Sequence, residues 1–228
     1  MSKKIIFQPA PGYQELLSIP AGENHEALVD LGTFCSNILC QYNKRDMLTI
    51  VGNKIFVRLS VAERLFLAAC RLEALRPGYQ LKIVYGYRHP NIQKKYFQAK
   101  KAELHRNFPM ISGVDLIELT HSFVAEPSVA GHPTGGAIDL TIINNQGQDL
   151  KMGTEIADYS DPEKIRTFCK KISKRQAANR RLLLGLMLDQ GFAPFFGEWW
   201  HFSYGDIEWA FFNSQKNSLY SRVNLKIK

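Results

Sequence analysis

The chain has 228 residues, 45% of them hydrophobic, and a formal net charge of +8. That length and apolar content are enough for a sizeable core, and a single domain over residues 1–228 is the simplest reading. No apolar run approaches a membrane span, and the basic residues are scattered without a nucleic-acid-binding motif. Near the N-terminus, Ile5-Ile6-Phe7 is too short an apolar stretch for a secretory signal, so a cytoplasmic protein with no nucleic acid partner is expected. Cys35, Cys40, Cys70 and Cys169 show neither paired metal spacing nor disulfide density, and are expected to be small buried hydrophobes. Oligomeric state leaves no mark in the sequence.

Residues 1–53 read as an irregular segment packed on the core, because Pro9, Pro11 and Pro20 argue against early long helices. The first clear helix spans Ser60 to Leu75. Ser60 with Glu63 has the signature of a capping box, Leu65, Ala68, Ala69 and Leu72 supply an apolar face, and Pro77-Gly78 stops the run. Leu81 to Tyr87 reads as a strand that ends on Arg88, followed by a polar, solvated helix from Asn91 to Arg106. Ala137 to Ile143 reads as a buried strand, with a turn at Asn144-Asn145-Gln146-Gly147 making a hairpin back to Met152. Asp161-Pro162-Glu163 is expected to open a helix, with proline in the first helical position. Arg175 to Gln190 is a further helix ended by Gly191, and a loop then leads into a Glu198-Trp199-Trp200-His201 strand. The fold class is α+β: a small, mostly antiparallel sheet with helices packed on the outside.

One stretch carries the chemistry: Gly131-His132-Pro133-Thr134-Gly135-Gly136-Ala137-Ile138-Asp139. Imidazole and carboxylate both bind metals, and the glycines let the loop between them fold back. Catalytic zinc commonly takes three protein ligands and leaves a position open, so His201 completes a set with His132 and Asp139. Glu198, close by and uncoordinated, is then the candidate general base. Positions three apart in a regular strand face opposite ways, so Glu198 must sit on a turn or bulge to share a side with His201. His105 and His121 have no partner spacing and are expected to be surface or hydrogen-bonding residues.

His132 with Gly135, Ala137 and Asp139, followed by a distant Glu-Trp-Trp-His, resembles the zinc D-alanyl-D-alanine dipeptidases and the related carboxypeptidases. Within that group the chain looks most like the vancomycin-resistance type of dipeptidase, over about residues 55 to 205. Gly86-Tyr87-Arg88 is similar to the family's Gly-Tyr-Arg, which implies that Arg88 polarises the substrate carbonyl. Met152-Gly153 through Asp158 resembles the segment whose aspartate binds the substrate ammonium, which implies that role for Asp158. The resemblance implies one zinc per chain and a small dipeptide as substrate. Carboxypeptidase action on peptidoglycan precursors and a non-catalytic zinc protein are the alternatives. There are departures: Ala130 stands where a serine is common, His89 separates Arg88 from Pro90, and the family's N-terminal segment is faint between Tyr42 and Gly52.

Overall fold

The computed structural model describes residues 10–225. Short elements open the chain: α1 (Tyr13–Leu17), β1 (Leu28–Asp30), α2 (Leu31–Phe34), β2 (Leu39–Cys40), α3 (Leu48–Val51) and β3 (Phe56–Arg58). Then come α4 (Leu59–Leu75), β4 (Gln80–Tyr85), α5 (Pro90–Asn107), α6 (Gly113–His121), β5 (Ala137–Ile143) and α7 (Lys174–Asp189). The last elements are β6 (Ala193–Pro194), β7 (His201–Ser203) and α8 (Ile207–Phe212).

All seven residues of β5 are buried, as expected of a strand covered on both faces. It is the middle strand of a five-stranded sheet in the order β2-β4-β5-β7-β6. The sheet is antiparallel except where β2 pairs with β4. Because strand side chains alternate, β5 serves two surfaces. Ile138, Leu140 and Ile142 join the main core with Leu65 and Leu72 of α4 and Leu183 and Met187 of α7. Asp139 and Thr141 point the other way. The α+β class and the mostly antiparallel sheet are therefore as the sequence implied. No helix among the described residues is long and apolar enough to cross a membrane.

Several local readings are corrected. Part of residues 10–53 is ordered into strands: β1 pairs with β3, and β2 forms an edge of the main sheet. The expected Ser60–Glu63 box does not form. Arg58 is the N-cap of α4 without a side-chain cap bond, and the Ser60 amide donates to the Glu26 carboxylate from the preceding segment. A distant acceptor has replaced the local one. Third, Asp161 accepts from the amides of Glu163 and Lys164, yet no helix follows.

Arg180 explains why no helix follows Asp161. Its guanidinium, only 2% exposed, donates to the carbonyls of Met152, Arg166 and Lys164 at 2.7, 2.6 and 2.8 Å. The Trp199 amide takes the Ile165 carbonyl at 2.9 Å. Carbonyls that a helix would use internally are thus committed to other elements. Among the cysteines, Cys35 is buried and burial pushes its thiol up to about 11, whereas Cys70 is exposed on α4, against expectation. The Glu-Trp-Trp-His strand begins only at His201. Replacing Arg180 by leucine removes three hydrogen bonds and leaves the buried Met152 carbonyl without its donor, so the variant should lose about 2–3 kcal/mol in a urea melt.

Candidate metal centre

The sheet register assembles one row. Tyr85 of β4 pairs with Asp139 of β5, and Asp139 pairs with His201 of β7, so three side chains stand abreast on one face. His132 reaches this row from a short 3-10 turn, His132–Thr134. Gly135 ends that turn at φ +76°, and a Cβ there would meet Leu28 Cδ2 at 2.3 Å. Gly131 lies so close to α8 that an added Cβ would be 2.0 Å from Asp206 Oδ2. A side chain at either position would push into these neighbours, and at Gly135 the positive φ adds backbone strain.

One potential ligand atom from each of His132, Asp139 and His201 lies within 4.8 Å of the others. His132 Nε2 is 3.4 Å from Asp139 Oδ2, and His201 Nδ1 is 3.0 Å from Asp139 Oδ1. Two imidazole nitrogens and a carboxylate oxygen within 4.8 Å of one another are donors of the kind a zinc site takes, so the residues present fit that ion. The orientation of His132 is fixed from behind, since Nδ1 lies 2.8 Å from the Gly86 carbonyl. Donating Nδ1–H there leaves Nε2 with its lone pair toward Asp139.

Glu198 sits in a turn, as the spacing demanded. Its amide donates to Phe195 O at 3.0 Å, and its carbonyl accepts from the His201 amide at 3.4 Å. This brings its carboxylate into electrostatic range of His201 and Asp139 and within hydrogen-bonding reach of Tyr159. Burial is the main cause that raises the Glu198 carboxyl from 4.5 to about 7; Asp139 adds to it, while His201 and Tyr159 oppose. Burial likewise disfavours charge on Asp139, but the two histidines outweigh it and hold that carboxyl well below its usual range. His201, facing two carboxylates, is held well above the ordinary histidine value despite burial.

Arg88 lies beside the row. Its backbone amide donates to His132 O at 3.1 Å, and its guanidinium stacks over Tyr85 at 4.6 Å and donates to Gln93 Oε1 at 2.7 Å. Burial opposes its charge, but Tyr85, Asp139 and Asp46 keep it protonated. His89 has a local reason to stand before Pro90: its side chain accepts from the Asn91 amide and caps α5. Asp158 is not drawn into the cluster. It lines an adjacent cavity of about 400 Å³ with Met152, Gly153, Thr154 and Trp199, and its Oδ1 accepts from the Ser160 amide at 3.1 Å. His121 makes hydrogen bonds, accepting from the Glu126 amide at 3.1 Å.

Two residues beside the site escaped the sequence reading. The polar composition of residues 91–106 predicts a solvated face for Gln93, yet it is 1% exposed and bridges Arg88 to the Ala125 carbonyl at 2.7 Å. Glu208 of α8 lies 3.4 Å from His201 Nε2. Only its acidic character near a predicted ligand could have suggested it, and no motif marks it.

Two histidines and a carboxylate beside a further carboxylate and an arginine are the equipment of a metal-assisted hydrolase. The profile of the D-ala-D-ala dipeptidase family matches residues 38–219, and the chain belongs to that family of peptidases. It is 32% identical over 157 residues to the D-alanyl-D-alanine dipeptidase of Enterococcus faecalis, covering 66% of this chain and 73% of that one. Identity to the dipeptidase of Enterococcus faecium is 33% over the same shares of each chain. The match to the Synechocystis sp. dipeptidase, 33% identical, spans 40% of this chain and 41% of that protein's length. Among solved structures, the LD-carboxypeptidase LdcB aligns at 18% identity with a TM-score of 0.46, over 84% of this chain and 76% of that one.

The raised Glu198 carboxyl sets a pH dependence for the metal-free protein. A carboxyl that binds its proton more tightly when folded makes stability fall as pH rises, here between 4.5 and about 7. Glu198→Gln removes that loss. The variant should match wild type near pH 4 and exceed it by about 2–3 kcal/mol at pH 8 in urea melts.

Proposed function

We propose that this chain is a single-domain zinc dipeptidase that hydrolyses D-alanyl-D-alanine, with one zinc held by His132, Asp139 and His201. The observation that carries the reading is the convergence of those three side chains within 4.8 Å, beside Glu198 and Arg88, in a member of the D-ala-D-ala dipeptidase family. A small dipeptide in the cytoplasm is the substrate on this reading.

Zinc at that position supplies Lewis acidity, which brings the ionisation of water down toward ~7. Glu198 accepts the proton of the attacking water on a carboxylate oxygen and returns it to the leaving amine. Arg88 stays charged throughout and donates to the oxygen on which negative charge develops. Its anchorage on Gln93 and the Tyr85 ring holds the guanidinium in place before substrate arrives. Asp158, on the cavity wall beside Met152 and Gly153, receives the substrate ammonium.

One feature favours the alternative, a carboxypeptidase acting on peptidoglycan precursors. The cavity that Asp158 lines is about 400 Å³ and has Lys82 and Asp149 among its lining residues, a volume with room for a longer peptide.

Purified protein should contain close to one zinc per chain by elemental analysis, and His132→Ala, Asp139→Ala and His201→Ala should each lower it sharply. Full zinc in all three would refute the ligand set. Glu198→Ala should keep its zinc and lose ~10²–10⁴ in kcat, and Arg88→Ala ~10²–10³ with metal content unchanged. Free and N-acetylated D-alanyl-D-alanine, assayed side by side, separate the two substrate readings. The dipeptidase cleaves the free form faster, and Asp158→Ala erodes that preference. Faster cleavage of the acetylated form would select the carboxypeptidase.

A further inference from the structure

Helix α8 follows every motif of the site, yet it delivers a carboxylate to the back of a metal-site histidine. Glu208 Oε2 is 3.4 Å from His201 Nε2, while the other ring nitrogen, Nδ1, faces Asp139 Oδ1 at 3.0 Å. The side chains of His201 and Glu208 are 12% and 16% exposed, so the contact is largely screened from water. An imidazole offers a lone pair to a metal through one nitrogen when the other keeps its proton, and the group accepting that proton decides which is which. The Gly86 carbonyl stands in that position for His132. Behind His201 the corresponding acceptor is a side chain.

The helix bearing it is held independently of the metal ligands. Asp206 Oδ1 accepts from the Trp209 amide at 2.8 Å and caps α8, and Trp209 Nε1 donates to Gly191 O at 3.0 Å. Ile207 packs with Leu16 and Val129. Asp206 also abuts Gly131, so α8 is wedged between the loop bearing His132 and the strand bearing His201. Glu208 thus sits on a fixed support with its carboxylate at one point of the ring.

We propose that Glu208 is a positioning residue: it accepts the Nε2–H of His201 and so fixes Nδ1 as the metal-facing nitrogen. The inference rests on the zinc-site reading above. No bond to the substrate is involved, and the effect reaches the reaction only through the orientation and basicity of His201.

The test compares wild type, Glu208→Ala and Glu208→Gln by zinc competition against a chromophoric chelator, by melts of the metal-free proteins, and by histidine ¹⁵N NMR of the zinc-loaded proteins. Glu208→Ala should bind zinc ~10–100-fold more weakly. Glu208→Gln, which keeps an acceptor oxygen, should recover most of that affinity. His201 should show a protonated Nε2 in wild type and Glu208→Gln, and lose that uniform signature in Glu208→Ala. Unchanged zinc affinity in Glu208→Ala overturns the proposal, as does equal weakening in both variants. If Glu208→Ala does not fold, the NMR of the other two decides, and a wild-type His201 lacking the Nε2 proton overturns it. Wild-type protein that binds no zinc would refute the zinc reading itself, before any substitution is made.

Discussion

A carboxylate buried in the middle of a sheet is the constraint around which this protein is built. Asp139 is 9% exposed on a strand whose seven residues are all buried, and ionised groups at such positions need compensation. In the metal-free protein His201 supplies it, with Nδ1 at 3.0 Å from the carboxylate. The same arrangement creates the donor set for a cation. Glu208 adds a further carboxylate beside His201. The site is costly to the apoprotein for the reason that it suits a metal.

The loop carrying His132 and the strand end carrying Arg88 hold one another. Arg88 N–H donates to the His132 carbonyl at 3.1 Å, and the His132 ring reaches the Gly86 carbonyl at 2.8 Å. Tyr87 N–H meanwhile donates to Phe56 O at 2.8 Å, tying the same segment to β3. Moving the arginine therefore moves the histidine. On the proposed mechanism these two groups must keep a fixed separation, and reciprocal backbone bonds achieve that without a rigid helix between them.

Arg180 plays a comparable part on the cavity side. By binding the carbonyls of Met152, Lys164 and Arg166, it folds residues 152–166 into a wall. Trp199 is held on that wall through Nε1 to Thr154 Oγ1 at 2.9 Å. Glu198 is the adjoining residue, so the turn that presents it is anchored by a buried cation outside the His132–Asp139–His201 cluster.

Much of this was legible in the residues themselves. The long helices, the buried strand, the class of sheet, the histidine–aspartate pair and the need for Glu198 to leave a regular strand all follow from periodicity, glycine placement and ligand chemistry, which act over a few residues. What the chain alone did not reveal are decisions made by distant partners. Glu26 displaces the cap at Ser60, Arg180 takes the carbonyls that a helix after Asp161 needed, and β2 is recruited from a proline-bearing segment to the sheet edge. Gln93 and Glu208 belong to the same class. Each is an ordinary polar residue on a helix until the fold sets a partner beside it: the Ala125 carbonyl for Gln93, and His201 of β7 for Glu208. A buried polar group must find a partner wherever the fold puts one, and sequence spacing carries no record of partners brought together only by packing.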